Sequence, residues 1–470
     1  MAQRYDLVII GMGSGGMVAA EFATTIGVRV AVVERGRVGG DCLWTGCVPS
    51  KALLSSAKAA HTMRHGDHYG LPALAPHIDT QKVWNRLRAI QQEIASTDDD
   101  PARYMAMGID IIAGHAALDG PNCVLVDRVR RIEARHILLC TGSRPVEPPI
   151  EGIGDSGYLT SENLWDLERA PESITMIGGG PIAIEMAQAF VRLGITTTVL
   201  QKQDGILPRD EPSLVEVLTR RLRTEGVDLR LGVDTLRVTT ANGAKVVHGT
   251  ERGAEASWES AELLVAVGRR PNVDGLGLQE VGVEVGPRGV KVDERLRTAV
   301  PSIHAAGDVA GRYLFTHAAG YEAVRAVRDM FFPGRGKADE PVPWCTFTDP
   351  ELAHAGLTSA EAEERHGGNV MVWRQDLIHS DRARAEGITD GAIVIITAKD
   401  KVVGAHVLAP SAGEMIHELA LAIREDLKLS ALAGLIHVYP TLSTGIGQLA
   451  AESAFEKAGK LRWLVRRGRR

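Results

Sequence analysis

The hydrophobic pattern at the start of the chain is short and sharply interrupted. Tyr5-Asp-Leu-Val-Ile-Ile10 is an apolar run of strand length. Gly11-Met-Gly13-Ser14-Gly15-Gly16 breaks it, and residues 17–25 then mix apolar and polar positions as a helix does. Gly27-Val-Arg-Val-Ala-Val-Val-Glu34 predicts a second strand, ending on a carboxylate 23 residues after Gly11. The same succession returns further on. Ile174-Thr-Met-Ile-Gly178-Gly-Gly180-Pro-Ile-Ala183 repeats the strand and turn with alanine at the third glycine site, and Gly194-Ile-Thr-Thr-Thr-Val-Leu-Gln201 repeats the second strand. Gly11 maps to Gly178, Gly27 to Gly194 and Glu34 to Gln201, all at one offset, so the chain carries two copies of a strand-turn-helix-strand unit.

The turn has a mechanical reading. Its first glycine permits the tight bend, its second lets the backbone approach a pyrophosphate, its third lets helix pack on strand, and the helix N-terminus offers unpaired N–H groups to the phosphates. A carboxylate at Glu34 suits a ribose hydroxyl. Two copies imply two dinucleotides, and a protein holding two passes electrons or hydride between them. In the second copy the acidic position is the neutral Gln201, with Lys202 beside it and Arg209 a few residues on. That set accepts a 2′-phosphate which a carboxylate repels, and so leans to NADPH over NADH.

Composition narrows the class without naming it. A chain of 470 residues predicts about three domains. Its 44% hydrophobic and 24% charged residues exclude disorder, collagen-like sequence and a coiled-coil rod. There are 51 glycines against seven each of Phe, Trp and Tyr, which favours tight turns over an aromatic core. With 53 Lys and Arg against 59 Asp and Glu, no global basic field gathers nucleic acid or anionic membrane. The one basic run, residues 462–470, reads as a solvated tail. No stretch of 18 apolar residues occurs and no signal peptide precedes Tyr5, so the expected location is cytoplasmic.

Five cysteines are not a secreted disulfide framework. Two of them lie close together in Gly39-Gly40-Asp41-Cys42-Leu-Trp-Thr-Gly46-Cys47-Val-Pro49-Ser50-Lys51. On an ideal helix, positions i and i+5 diverge, so a disulfide there needs a distorted first turn. Gly46 gives the backbone freedom, and Pro49 is tolerated only near a helix start. A helix N-terminus also favours the thiolate. On spacing alone, two inert buried thiols remain an equal reading.

This segment resembles the redox-active signature of the flavoprotein disulfide reductases, the class I pyridine nucleotide-disulfide oxidoreductases. The resemblance extends over nearly the whole chain. Leu138-Leu-Cys-Thr141-Gly142-Ser-Arg-Pro, Ala266-Val-Gly268-Arg269-Arg-Pro-Asn, Ala305-Ala-Gly307-Asp308, Phe347-Thr-Asp-Pro350 and Gly404-Ala-His-Val are similar to further family segments. The resemblance implies an α/β fold of two Rossmann-like dinucleotide-binding domains plus a C-terminal α+β dimerisation domain. The FAD domain would span residues 1–147 and 271–335, the NAD(P)H domain 148–270 and the interface domain 341–470 of a homodimer. It assigns Gly11, Gly13, Ser14, Gly15, Gly16, Glu34, Gly40, Asp41, Lys51, His115, Ala116, Thr141, Gly142 and Asp308 to FAD. To NAD(P)H it assigns Gly178, Gly180, Ala183, Glu185, Gln201, Lys202, Arg209 and Gly268. Cys47 would be the flavin-proximal thiol and Cys42 the thiol that exchanges with substrate, with Lys51 and Glu185 a pair near the flavin. Electrons would pass from NAD(P)H through FAD to the Cys42–Cys47 disulfide and on to a disulfide or another thiol-reactive acceptor.

Two positions depart from the family. In His437-Val-Tyr439-Pro440-Thr441-Leu-Ser-Thr444, tyrosine stands where most members place a proton-donating histidine, and Thr444 stands where they place its glutamate. A phenol with a pKa of about 10 is a poor neutral-pH proton shuttle, and His437 is the substitute within reach if the chain is extended. Pro181 replaces a gate tyrosine at the nicotinamide pocket. The sequence around Pro440 is closest to the mercuric reductase-like and dihydrolipoamide dehydrogenase-like branch, but no cysteine pair follows Cys345 to receive Hg(II). Alternatives are direct flavin reduction of quinones or other small acceptors, independent of the cysteines, and ketoalkyl-thioether reductase/carboxylase chemistry. His61, His65 and His68 have helical spacing; without a carboxylate or thiolate nearby in sequence they read as a solvated face, and no metal is expected.

Overall fold

The computed structural model describes residues 3–334, 338 and 341–460, so the basic run at 462–470 lies outside the described residues. The chain forms two compact units. One comprises Met1–Leu53, Asp79–Ala170 and Leu263–Asp339; the other comprises Leu54–Ile78, Pro171–Glu262 and Glu340–Arg470.

In the first unit, β1 (Gln3–Ile10), α1 (Ser14–Thr25) and β2 (Val30–Glu34) are the strand, helix and strand predicted from the apolar pattern. Leu7, Val8 and Ile9 are all fully buried because both faces of the parallel part of the sheet are covered. Successive residues of β1 enter different cores: Val8 and Ile10 pack with Val33 and Ile137, Leu7 and Ile9 with Val32 and Leu138. Four further strands complete the order β3–β2–β1–β6–β5–β4: β3 (Asp110–Ala113), β4 (Ala116–Leu118), β5 (Cys123–Val126) and β6 (Arg130–Leu139). β1 runs parallel to β2 and β6, whereas β4, β5 and β6 form an antiparallel meander. Ile303–Ala305 adds in parallel to β6. The short strand β7 (Ser143–Pro145) pairs antiparallel with Arg269–Pro271. Helices α2 (Gly40–Trp44), α3 (Cys47–Arg64) and α4 (Thr80–Ala95) carry and flank the cysteine segment.

The second unit repeats the pattern. β8 (Ser173–Ile177), α5 (Pro181–Arg192), β9 (Thr196–Gln201), α6 (Pro212–Thr224) and β10 (Asp228–Leu231) give parallel pairing in the order β10–β9–β8. An antiparallel meander of β11 (Val233–Ala241), β12 (Ala244–Glu251) and β13 (Ala254–Ser260) follows. The C-terminal part is a five-stranded antiparallel sheet in the order Trp344–Thr346, Glu351–Gly356, Lys401–Ala409, Ala392–Ala398, Val370–Asp376. Helices Ala412–Arg424 and Thr444–Lys460 cover one of its faces through Ile416, Leu419, Ile446 and Leu449. Among the described residues no helix is long and apolar enough to cross a membrane.

Candidate active site

The first glycine turn is closed to any side chain. Gly11 has φ +101°, and a Cβ there would lie 2.4 Å from the carbonyl oxygen of Cys140. At Gly16 it would lie 2.0 Å from the carbonyl oxygen of Gly11. Gly13 caps α1 without a side-chain hydrogen bond, so the first N–H groups of Ser14, Gly15 and Gly16 face outward for an anion. Gly40 backs onto the same turn: its Cβ would approach Gly13 Cα to 2.8 Å. Glu34 at the end of β2 accepts from Met12 N at 2.6 Å and Gly36 N at 2.7 Å, which fixes the carboxylate and leaves lone pairs for a hydroxyl. His115 N donates to Asp127 Oδ1 at 2.8 Å, and Ala116 opens β4. Thr141 Oγ1 donates to Asn272 O at 2.7 Å, and the Gly142 carbonyl accepts from Asn272 N at 2.9 Å. A Cβ on Gly142 or Gly268 would meet nothing within 4 Å, so open space faces both. A glycine cradle with uncapped N–H groups and a fixed carboxylate fits a bound dinucleotide.

The cysteines occupy two helices. A distorted first turn of one helix was the expectation; instead the chain breaks at Thr45 and Gly46, with Cys42 on α2 and Cys47 opening α3. The break frees i and i+5 from the divergence of a continuous helix. Gly46 eases the break, since a Cβ there would crowd Asp41 O at 3.0 Å. Cys47 Sγ lies 3.3 Å from Thr316 Oγ1, the first residue of helix Thr316–Phe331. The adjoining Cys47 sulfur, then burial, push the Cys42 thiol far above its ordinary range, while the hydroxyls of Thr316 and Ser14 pull it back. Lys51 lies one turn into α3, half-buried.

Asp308 is held nearby in the same unit. Ser143 Oγ donates to Asp308 Oδ2 at 2.5 Å and accepts from Arg269 Nε at 2.7 Å. Burial raises the Asp308 pKa against the pull of Ser143 and Arg269. Buried Glu322 accepts from Gly307 N at 2.9 Å and so fixes the turn before Asp308.

The second glycine turn is more open. Gly178 has φ +120°, and a Cβ on Gly180 would meet nothing within 4 Å. Ala183 is fully buried, whereas Pro181 and Ile182 are exposed. Gln201 Nε2 donates to Gly205 O at 3.1 Å, folding the amide into its own loop. Lys202 pairs with Asp234 at 2.9 Å, and the Arg209 guanidinium stacks 4.8 Å from the Trp344 ring centre. Glu185, Gln188 and Arg192 share one buried stripe of α5. Glu185 Oε1 accepts from Phe347 N at 2.9 Å. Gln188 bonds the backbone of Asp349 at 2.7 and 2.9 Å. Arg192 pairs with Glu225 at 2.7 Å and Asp349 at 2.8 Å.

His437 and Tyr439 go different ways. His437 Nε2 meets Glu418 Oε1 at 3.3 Å with the ring only 9% exposed, and its Nδ1 lies 2.7 Å from where a Cβ on Gly447 would sit. Tyr439 is 68% exposed and its hydroxyl donates to Asp381 Oδ2 at 2.8 Å, a contact that raises the phenol pKa further. Thr444 opens the helix Thr444–Lys460, and its hydroxyl accepts from Thr441 N at 3.3 Å. His61 is not on a solvated face: its Nε2 lies 3.2 Å from Arg221 Nη2, and burial drives its pKa to about 4. Among the described residues no group of three or more His, Cys, Asp or Glu is placed to hold a metal.

Sequence reasoning missed Thr316, Ser143 and the Arg269 contacts, and the Gln188 and Arg192 part of the stripe. Thr316 and Arg269 had a local signal, a hydroxyl opening a helix and a cation within the loop after Gly268. The stripe had none, because its partners lie far along the chain.

Comparison with known proteins agrees with this geometry. The profile described as "Pyridine nucleotide-disulphide oxidoreductase" matches residues 5–323, and that of its dimerisation domain matches 342–450. Relatives include dihydrolipoyl dehydrogenases, a mercuric reductase and a glutathione reductase. A dihydrolipoyl dehydrogenase of Bacillus subtilis is 31% identical over 96% of this chain and 98% of its own. A glutathione reductase of Burkholderia cepacia is 36% identical over 93% and 97%. The solved HOCl-induced flavoprotein disulfide reductase RclA from Escherichia coli superposes with a TM-score of 0.84 at 28% identity, over 95% of this chain and 99% of that one. The chain therefore belongs to the pyridine nucleotide-disulphide oxidoreductases, the class I flavoprotein disulfide reductases, FAD-dependent enzymes that use NAD(P)H.

Proposed function

We propose that the chain carries electrons from NAD(P)H to the Cys42–Cys47 disulfide and on to a disulfide or another thiol-reactive acceptor. The observation that carries the reading is the meeting of Cys42, Cys47 and the Thr316 hydroxyl within the unit that holds the first glycine cradle. When bound, FAD supplies the hydride-accepting, two-electron chemistry between nicotinamide and sulfur. The cradle from Gly11 to Gly16, with Glu34 and Asp308, would hold it, and the turn from Gly178 to Ala183 would hold the nicotinamide nucleotide. On the reduced pair, Cys42 attacks one sulfur of the acceptor disulfide, and the departing thiolate takes a proton. Cys47 then attacks Cys42, expels the second thiol and closes the Cys42–Cys47 bond. Thr316 stabilises the Cys47 thiolate by hydrogen bonding. Tyr439, tied to Asp381, is a weak acid for the departing thiolate, and His437 is turned toward Glu418. The acceptor is therefore one whose leaving group needs little protonation.

The three-part division and the homodimer belong to this reading. Ile436, Val438 and Tyr439 are 68–94% exposed within the dimerisation domain, apolar surface of the kind a second copy covers. NADPH is the expected nucleotide from Gln201 and Lys202, and five cysteines without a secreted disulfide framework suit the cytoplasm. Anaerobic NADPH titration of the FAD enzyme should produce a long-wavelength absorbance band that Cys47→Ser abolishes. An unchanged band in Cys47→Ser refutes the assignment. An acceptor screen run with Tyr439→His alongside should show the variant gaining on ordinary disulfides.

The openness around Gly180 and Pro181 favours one second reading, direct reduction of quinones or similar acceptors. Full quinone reduction by Cys42→Ala/Cys47→Ala would select it.

A further inference from the structure

Cys42 sits on a helix of five residues, too short to hold a position by its own hydrogen bonds. Its C-terminal half is tethered. Leu43 is buried, Trp44 Nε1 donates to Val38 O at 2.8 Å, and Gln91 of α4 donates to the carbonyls of Leu43 at 3.0 Å and Trp44 at 2.8 Å. Its N-terminal half begins with Gly39 and Gly40 in left-handed conformations and offers one side chain before the thiol, Asp41. That carboxylate pairs with the Arg269 guanidinium, 228 residues along the chain.

Arg269 is itself immobilised. Its side chain is 15% exposed, and it donates to Ser143 Oγ at 2.7 Å, Ser143 O at 2.9 Å and Ser161 Oγ at 3.2 Å. The Ser143 hydroxyl passes the connection on to Asp308 Oδ2 at 2.5 Å, and Asp308 lies 3.9 Å from Arg269 Nε. Glu162 shares this surrounding with Asp41, Arg269, Arg35 and Arg144. Only a planar fork satisfies Asp41 on one side and two serines on the other, which a lysine point charge does not.

We propose that Asp41, Arg269, Ser143 and Asp308 form a side-chain tie that sets the register of the Cys42 loop on the flavin cradle, with Arg269 as a positioning residue for Cys42. The tie rests on the reading of Asp308 and the thiol pair given above. Arg269 touches neither sulfur; it acts by fixing the first turn of α2. Releasing that turn lets Cys42 draw away from Cys47, whose proximity suppresses its ionisation, so the freed thiol reacts faster.

The test is the rate at which iodoacetamide labels Cys42 in dithiothreitol-reduced FAD enzyme at neutral pH, read by peptide mass mapping, with flavin content and thermal midpoint measured alongside. Asp41→Asn and Arg269→Met should each speed labelling by about tenfold, the factor that one pKa unit gives. The double variant should be no faster than either single one, because both break the same tie. Arg269→Lys should recover part of the parent behaviour. A rate within about twofold of the parent in either single variant, a double variant whose effect is the product of the singles, or labelling that tracks the thermal midpoint alone would each overturn the tie. Asp308→Asn with full flavin content overturns the flavin reading of Asp308, whereas the coupling between Asp41 and Arg269 stands or falls on the cycle.

Discussion

Helix α1, after the first glycine turn, packs by being small. Gly15, Gly16, Ala19, Ala20 and Ala23 are buried, and a Cβ on Gly16 would lie 2.0 Å from the Gly11 carbonyl oxygen. Helix α5, after the second turn, packs by being polar. Glu185, Gln188 and Arg192 are all at least 94% buried, and each is engaged by groups elsewhere in its unit. The turns are near copies, yet what fixes their helices differs in kind. Close packing of small residues tolerates no added atom, whereas a buried polar stripe tolerates no lost partner.

The sharpest way to break this contrast is Arg192→Met. It leaves Glu225 and the Asp349 carboxylate short of their buried cation and should cost about 4 kcal/mol in denaturant unfolding. A loss below about 1 kcal/mol would group the stripe with weak surface pairs and dissolve the comparison. Gly16→Ala comes next, at about 3 kcal/mol with loss of retained flavin, since the added carbon meets the Gly11 carbonyl. The mirror change, Ala183→Gly, should cost only about 1 kcal/mol. Equal costs at the two sites would show that the helices are seated alike.

Acid should separate the anchors further. Burial alone would raise Glu225 and Asp349, but Arg192, with Arg221 at Glu225 and Lys58 at Asp349, holds both below their ordinary values of 4.5 and 3.8. The unfolded chain then binds more protons than the native one as pH falls through those ordinary values, so the stabilisation is present above them and lost below. His61 has the same sign: burial lowers it from 6.5 to about 4, and its contribution disappears as pH drops across that interval. Thermal midpoints should therefore fall on acidification, and Arg192→Met should flatten the carboxylate part of the curve. An identical slope in the variant contradicts the assignment. The smallest effect is expected at Lys202→Ala. With Asp234 already holding that exposed ammonium, the preference between NADPH and NADH should move by about twofold. A tenfold change in the KM ratio would mean that Lys202 leaves Asp234 for the nucleotide.

The pattern of apolar runs and glycines located both turns, because a close backbone approach is a local demand that only glycine meets. Glu34 and Gln201 were readable by offset for the same reason. The thiol segment was readable as a motif, but its helix break was not, since spacing restricts a disulfide without saying how the backbone yields. The β11–β13 meander and the C-terminal sheet lacked a local signature, and the dimerisation domain was legible only through resemblance. Arg269 with Asp41, and Arg192 with Glu225 and Asp349, depend on residues brought together by folding, which no window of sequence contains. His437 shows the same limit: two residues from Tyr439 in the chain, it is drawn to Glu418 while Tyr439 stays exposed on Asp381.

The buried stripe of α5 also bears on exchange between relatives. A nucleotide-binding unit is an attractive piece to transplant when cofactor preference is to be altered, but here α5 is written in the same hand as Phe347, Asp349 and Glu225. A graft ending at β13 would carry Glu185, Gln188 and Arg192 away from residues 347–349 and strand three polar groups among unmatched neighbours. Chimeras of this enzyme should include that short segment of the dimerisation domain together with the unit it serves.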